Sequence, residues 1–388
     1  MKLEYTNHTA ELTVSIENNS SEDLSFAAGT LGYACNSVNG YMVSDGYIYE
    51  EVAAGKKTNE KAVFKLNELQ AYGINSIADI ELGIYTIDAN YNNTYYEPKK
   101  IITSAADTYD YLADTYKRSM EDGVLESLSN CKIDYWNTDQ IYSRESVSIE
   151  SVALVTNHEG EQSVFIEFVN ESDQMVNANI SSVAVNNLVL YGGAWSSSAV
   201  NSGAKKIAEI RLNNLLDQEY QELVDVGEVS SISFDLVMQD TDDEDITTTD
   251  NIAVNISADP SSYEVSGIPL VDKNEIKLTE IGIVEDKSSY SSFSYHIIYA
   301  VENRTSDSVM AQCEYGSLSI NDYMIDFYDF SGKTPSGKTG LLIVDLYEDD
   351  IEEAGISSVE DIEKIDITFR VNDKHYERLL EETVTESK

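Results

Sequence analysis

The stretch Asn39-Gly40-Tyr41-Met42 decides the fold, because it returns late in the chain as Asn321-Asp322-Tyr323-Met324. The same offset carries Gly55-Lys56 onto Gly337-Lys338. It also carries Gly73-Ile74-Asn75-Ser76-Ile77-Ala78-Asp79-Ile80-Glu81 onto Gly355-Ile356-Ser357-Ser358-Val359-Glu360-Asp361-Ile362-Glu363. Landmarks that keep a fixed spacing are the signature of a repeat architecture. A looser middle copy has Asn186-Asn187 at the hairpin, Gly203-Ala204-Lys205-Lys206 at the lysine turn and Val226-Gly227 ahead of Ser231-Ile232-Ser233-Phe234. The turn Thr6-Asn7-His8 reappears as Thr156-Asn157-His158.

Each copy reads as β structure. Leu12-Thr13-Val14-Ser15-Ile16 alternates apolar and polar residues, as a strand buried on one face does. Val164–Phe168 and Tyr295–Tyr299 fill the same slot, and each runs into an asparagine turn at Asn18, Asn170 or Asn303. Asn-Gly between apolar runs signals a two-residue hairpin, whose central residues both need positive φ. A short helical pattern then ends at Gly73 and again at Gly355, where glycine supplies the left-handed residue that stops a helix.

About seven strands per copy, one short helical crossover and no β-α-β alternation predict an all-β protein of three tandem immunoglobulin-like β-sandwich repeats. The expected bounds are 1–104, 146–257 and 275–388, with linkers at 105–145 and 258–274. Prolines cluster near these junctions at Pro98, Pro260 and Pro269. In the first linker Tyr109, Leu112, Tyr116 and Met120 have helical spacing and stop near Gly123. The first strand of the first copy is short, since Met1–Tyr5 precedes Thr6 where the middle copy has strand-like residues from Ser146. That predicts a natural product extending upstream with an export signal, with or without a lipid-anchored cysteine.

The hairpin, the Gly-Lys turn and the Gly-Ile-x-Ser-Ile-x-Asp-Ile-Glu stretch resemble the tandem immunoglobulin-like domains of uncharacterised secreted proteins and lipoproteins of Gram-positive, mostly clostridial, bacteria. The resemblance covers most of the chain. Its motifs are structural, so it implies an extracellular or cell-surface location and carries no activity with it.

Charge narrows the function classes. The chain has 70 acidic and 25 basic residues, a net charge of -45. Such a field repels nucleic-acid phosphates and anionic lipid, and it keeps a protein soluble. No apolar run is long enough for a membrane helix. Cys35, Cys131 and Cys313 form no disulfide framework. The four histidines, His8, His158, His296 and His375, have no metal or triad spacing, and no P-loop or nucleophile-elbow pattern is present.

Two features could bind a ligand. Asp240, Asp242, Asp243 and Asp245 crowd one loop, and Asp88 with Asn90 stands at the equivalent place in the first copy; alternating hard oxygens suit Ca2+, but neither loop has the glycine and distant glutamate of an EF-hand, and a solvated hairpin tip is the simpler reading. Trp195, after Gly192-Gly193, is placed either to stack on a sugar or partner, or to fill a core beside a bulge. The sequence therefore predicts a non-enzymatic surface protein of spacer or interaction modules with a protein or glycan partner. The alternative is a carbohydrate-binding module array, Ca2+-assisted or not, which an exposed aromatic row on one sheet would favour.

Overall fold

The computed structural model describes residues 2–29, 35–190, 196–212, 223–287 and 291–387. Strands dominate the described residues, and they assemble into several sheets with short helices between them, so the chain is all-β and sandwich-like. The chain divides into two compact units. The first holds Met1–Asn179, Ser196–Arg211 and Val237–Thr248, and the second holds Ile180–Trp195, Leu212–Leu236 and Thr249–Lys388. The division runs through residues 146–257, the stretch expected as the middle copy.

The first unit opens with β1 (Lys2–Tyr5), β2 (Thr9–Glu17), β3 (Leu24–Ala28), β4 (Asn36–Val38), β5 (Tyr41–Val43), β6 (Ile48–Val52) and β7 (Lys57–Lys65). After α1 (Leu66–Ala71) come β8 (Asp79–Ile87) and β9 (Asn93–Ile102). One sheet has the order β1-β2-β7; the other runs β5-β4-β8-β3-β6, with β9 on β8. Alternation along β2 turns Ala10, Leu12 and Val14 inward, where they meet Phe64 of β7 and Ile80 and Leu82 of β8 in one apolar core. The core extends to Leu69 of α1, because the crossover helix lies over the end of the sandwich.

The linker helices seal that end. Helix α2 (Thr115–Glu121) begins at Asp114, whose side chain accepts the Lys117 N–H at 2.9 Å, and α3 (Val124–Ser129) follows Gly123. Tyr116, Met120 and Leu125 join the core, whereas Leu112 is 96% exposed. The helical spacing read from Tyr109 onward therefore holds only from Tyr116, since the aspartate cap starts the helix later. At Gly73 (φ 76°) an added Cβ would stand 2.1 Å from the Thr115 carbonyl oxygen, so this glycine both stops α1 and admits the linker.

The chain continues through β10 (Cys131–Asn137), β11 (Tyr142–Arg144), β12 (Val147–Asn157), β13 (Gln162–Asn170), β14 (Val176–Val185), β15 (Leu188–Val189), β16 (Ser196–Val200), β17 (Lys205–Arg211), β18 (Ser231–Gln239) and β19 (Asp245–Asn255). In the first unit β10, β12, β13 and β17 form antiparallel neighbours in that order. The second unit adds β20 (Ile268–Lys273), β21 (Ile276–Glu285), β22 (Phe293–Asn303), β23 (Val309–Cys313), β24 (Ser319–Ile320), β25 (Tyr323–Met324), β26 (Phe327–Ser331) and β27 (Thr339–Tyr347). It closes with α4 (Glu348–Glu353), β28 (Lys364–Asp373) and β29 (Arg378–Ser387). There β20-β21-β22-β27 faces the sheet of β23, β24, β25, β28 and β29 across a core of Ile297, Tyr299, Leu342, Ile367 and Phe369. The Tyr299 and Phe369 rings meet edge to face with centroids 4.9 Å apart.

Two asparagine devices recur. Asn18, Asn170 and Asn303 are each 0–1% exposed. Each amide donates to the carbonyl four residues on (Glu22, Gln174, Asp307) and to a distant carbonyl (Val52, Val200, Thr334). Each side-chain oxygen accepts from the N–H and the hydroxyl of the residue two places on. The hairpin asparagines Asn39, Asn186 and Asn321 have φ of 51°, 47° and 51°, and the residues after them also have positive φ, as the type I′ turn requires. Their amides reach the loops ahead of β8, β18 and β28 at Ser76, Val226 and Asp361, and their oxygens accept from the start of those strands.

The hairpins also make parallel strand contacts. In the first unit Tyr41 pairs with Lys205, and the Lys205 N–H donates to Gly40 at 2.7 Å. In the second, Leu188 pairs with Thr339, whose N–H donates to Asn187 at 3.0 Å. Leu188, Val224, Ile298, Leu341 and Ile343 seal that contact with an apolar cluster.

Replacing Asn170 or Asn303 by alanine strips several buried partners at once and is expected to cost about 2–4 kcal/mol. Asn19→Ala, at an exposed neighbouring position, should stay within about 0.5 kcal/mol of the parent in urea unfolding.

Candidate functional site

The outer face of the first unit's larger sheet carries a row of tyrosines. Register places Tyr49 of β6 opposite Ala27 of β3, Ala27 opposite Tyr85 of β8, and Tyr85 opposite Tyr95 of β9. Residues directly opposite across adjacent strands share a face, so the three rings stand in line. The Tyr85 and Tyr95 rings are 5.3 Å apart and tilted by 31°. Tyr49 and Tyr95 are 48% and 49% exposed, while Ala27 between the rings is 1% exposed. Serine and asparagine edge the row: the Tyr49 hydroxyl donates to Ser25 at 3.4 Å, and the Asn93 amide donates to the Tyr95 hydroxyl at 3.4 Å. Flat apolar faces with polar rims suit a sugar ring or a flat protein surface. The single-strand reading missed this row because its members come from strands far apart in the chain; the alternating tyrosines at Tyr47 and Tyr49 were the available signal.

Buried charge collects at one strand contact and around one histidine. Glu167 is 3% exposed, and its carboxylate accepts from Ser151 at 2.8 Å and Lys205 at 3.1 Å. The Lys205 ammonium also lies 5.7 Å from the Tyr41 ring centroid. Burial works against its charge, but the Glu167 carboxylate together with Tyr41 and Asp114 outweighs it and holds the ammonium above its ordinary range. This is a structural ion pair at a strand junction. His296, in β22, stands between Asp345 (2.7 Å from Nδ1) and Asp286 (3.4 Å from Nε2). The Nδ1 contact with Asp345 is a hydrogen bond whose donor depends on the ring tautomer, and the two carboxylates hold the ring in its place on the strand. His8, His158 and His375 stay apart in exposed turns.

The acidic loops are hairpin turns. Asp240 accepts the N–H groups of Asp242 and Glu244 at 2.9 and 3.0 Å. Asp88 accepts those of Asn90 and Asn92 at 2.8 and 2.9 Å, and the Asn92 amide, bonded at 2.8 Å, holds its carboxyl below the usual range. Asn157 and Asp373 organise their own turns identically. The fourth residue of each turn, at Tyr91, Gly160, Asp243 and Tyr376, has positive φ. Asp245 accepts from Gln239 at 3.0 Å, and Asp242 and Asp243 point to solvent. Among the described residues no group of three or more His, Cys, Asp or Glu side chains is set to hold a metal ion. Trp195 lies outside the described residues.

No protein-family model and no curated protein matches the sequence. Among solved structures the chain is similar to a protein of unknown function from Porphyromonas gingivalis W83, at 9% identity over 59% of this chain and 92% of that one, with a TM-score of 0.17. It is also similar to an anti-sigma factor domain-containing protein, at 11% identity over 66% and 84% of the two chains and a TM-score of 0.14. A third likeness is to the exo-chitosanase CsxA of Amycolatopsis orientalis, at 7% identity over 98% and 77% and a TM-score of 0.18. Scores this low carry no argument about fold, activity or substrate. Among the described residues no helix is long and apolar enough to cross a membrane.

Because Asp88 and Asp240 already serve backbone N–H groups, the melting temperature is expected to be the same in millimolar Ca2+ and in EDTA. An ion held at about 100 times its dissociation constant would add roughly 2.7 kcal/mol, so a rise above about 5 °C would make these turns ion sites instead.

Proposed function

We propose that the chain is a tandem array of three immunoglobulin-like sandwiches and that it works, without catalysis, as a spacer carrying interaction faces on an exported, cell-surface protein. The observation that carries this reading is the recurring strand contact. Tyr41 meets Lys205 and Leu188 meets Thr339 at matching positions of hairpin and Gly-Lys turn, so successive sandwiches are held by the same device. The repeated asparagine anchors support three copies. The net charge of -45 supports a solvated surface role, and the family resemblance implies export. Spacer modules need fixed junctions, since a flexible bead string transmits neither distance nor orientation.

Thr339→Pro tests the junction, because it removes the N–H donated to Asn187; Thr339→Val, which keeps that N–H, controls for loss of the buried hydroxyl. The parent should resist limited proteolysis across residues 258–267, and the variant should be cut there at least tenfold faster. Rapid cleavage of the parent would overturn the fixed-junction spacer.

A second reading, a carbohydrate-binding array, is favoured by one observation, the row Tyr49, Tyr85 and Tyr95. On immobilised polysaccharide the parent should be retarded and Tyr85→Ala should elute with the void. Retention that survives the substitution would assign binding elsewhere; no retention of the parent would leave the row to a protein partner.

A further inference from the structure

The larger sheet of the first unit lays its tyrosines across the strands rather than along them. Tyr49, Ala27, Tyr85 and Tyr95 come from β6, β3, β8 and β9, one from each of four neighbouring strands. Neighbouring strands lie about 4.8 Å apart, so Tyr49 and Tyr85, two strands apart, are separated by about 10 Å. The Tyr85 and Tyr95 rings, one strand apart, have centroids 5.3 Å from each other. Ala27 fills the place between Tyr49 and Tyr85 with a methyl group, which stands lower than a ring and leaves the path along the row clear. The row is a ladder whose step is one strand.

The adjoining row on the same face is polar. Glu51 lies opposite Ser25, Ser25 opposite Ile87, and Ile87 opposite Asn93. Residues two apart on a strand share a face, so these four run alongside the tyrosines. Glu51 and Asn93 are exposed and Ser25 is half-buried. A carboxylate, a hydroxyl and an amide thus stand beside the rings, able to accept from and donate to hydroxyl groups.

Three features select the occupant. The first is the step. A hexopyranose ring linked through its 1 and 4 positions advances an extended chain by about one strand spacing, so successive sugar rings meet successive strands. The second is flatness. Equatorial β-1,4 linkage gives a straight ribbon with C–H faces and hydroxyl edges, which matches rings flanked by polar groups; α-1,4 and β-1,3 linkages bend the chain off the row. The third is charge. A net charge of -45 turns away glycans that carry carboxylate, sulfate or phosphate, and a neutral chain meets no such barrier. Adjacent strands also rotate by about 20–25°, and the Tyr85 and Tyr95 planes differ by 31°, so the row suits one dissolved chain better than a flat crystalline surface.

We propose that Tyr49, Tyr85 and Tyr95 bind a single neutral, unbranched β-1,4-linked glycan that lies across the strands, with one sugar ring over each of β6, β3, β8 and β9. This names the ligand class for the carbohydrate-binding reading given above and rests on that reading.

The probe is cellohexaose, titrated into the full chain by calorimetry, with maltohexaose and laminarihexaose as the α-1,4 and β-1,3 isomers. Cellohexaose should bind saturably, and about tenfold more tightly than either isomer or than cellobiose, which is too short to reach from Tyr49 to Tyr95. Tyr85→Ala should weaken it about tenfold. Because Tyr85 also covers Ala27, Tyr49→Ala and Tyr95→Ala, at half-exposed rings, carry the test if that variant unfolds, and each should weaken binding about threefold. Tyr315→Ala, at a 79% exposed tyrosine of the second unit, should leave the affinity unchanged. Binding of maltohexaose or laminarihexaose as tight as that of cellohexaose would overturn the linkage assignment and leave the carbohydrate reading standing. No binding of any hexaose at millimolar concentration would overturn both. Cellohexaose affinity that survives all three substitutions in the row would overturn the row as its site.

Discussion

A buried amide at the end of a strand organises this protein. Asn18, Asn170 and Asn303 lie where a chain of alternating residues must leave its sheet, and each is shielded from water. A buried carboxamide is tolerated only when its donors and acceptor are met. Here they are met by the turn that follows and by a carbonyl far along the chain, so one side chain ties a turn, a neighbouring segment and a strand pair together. The backbone adds to this: the N–H groups of Asn18, Asn170 and Asn303 donate to Lys56, Ala204 and Lys338 at 2.9 Å each. The register of β2 with β7, β13 with β17 and β22 with β27 follows, and with it the place of each Gly-Lys turn.

That placement decides what the hairpins can do. Tyr41 is 4% exposed and Leu188 0%, because each lies against the strand after a lysine turn; Tyr323, at the matching hairpin position, is 56% exposed. The turn chemistry is the same in all three, so the difference belongs to the surroundings. Gly73 and Gly355 teach the same lesson. Both adopt positive φ to end a helix, but only Gly73 has a backbone oxygen pressed where a Cβ would stand.

The hairpins, glycine stops and alternating strands were legible in the sequence because each depends on residues close together. Asn-Gly needs only its own positive φ, and Leu12, Val14 and Ile16 need only the pleat. The acidic loops were half legible. Their carboxylates stood out, yet whether Asp240 binds an ion or its own turn depends on where the N–H groups of Asp242 and Glu244 point. The linker helix was legible from Tyr116 onward, and its start was obscured by Tyr109 and Leu112, which match the period without belonging to the helix.

The sequence by itself determined the all-β class and the turns, since local sterics and side-chain periodicity act over a few residues. Only the tertiary structure decided that Tyr49, Tyr85 and Tyr95 form one row and that Lys205 meets Tyr41. These are relations between strands brought together by sheet order, and sheet order depends on hydrogen bonds and packing between residues that no local pattern connects.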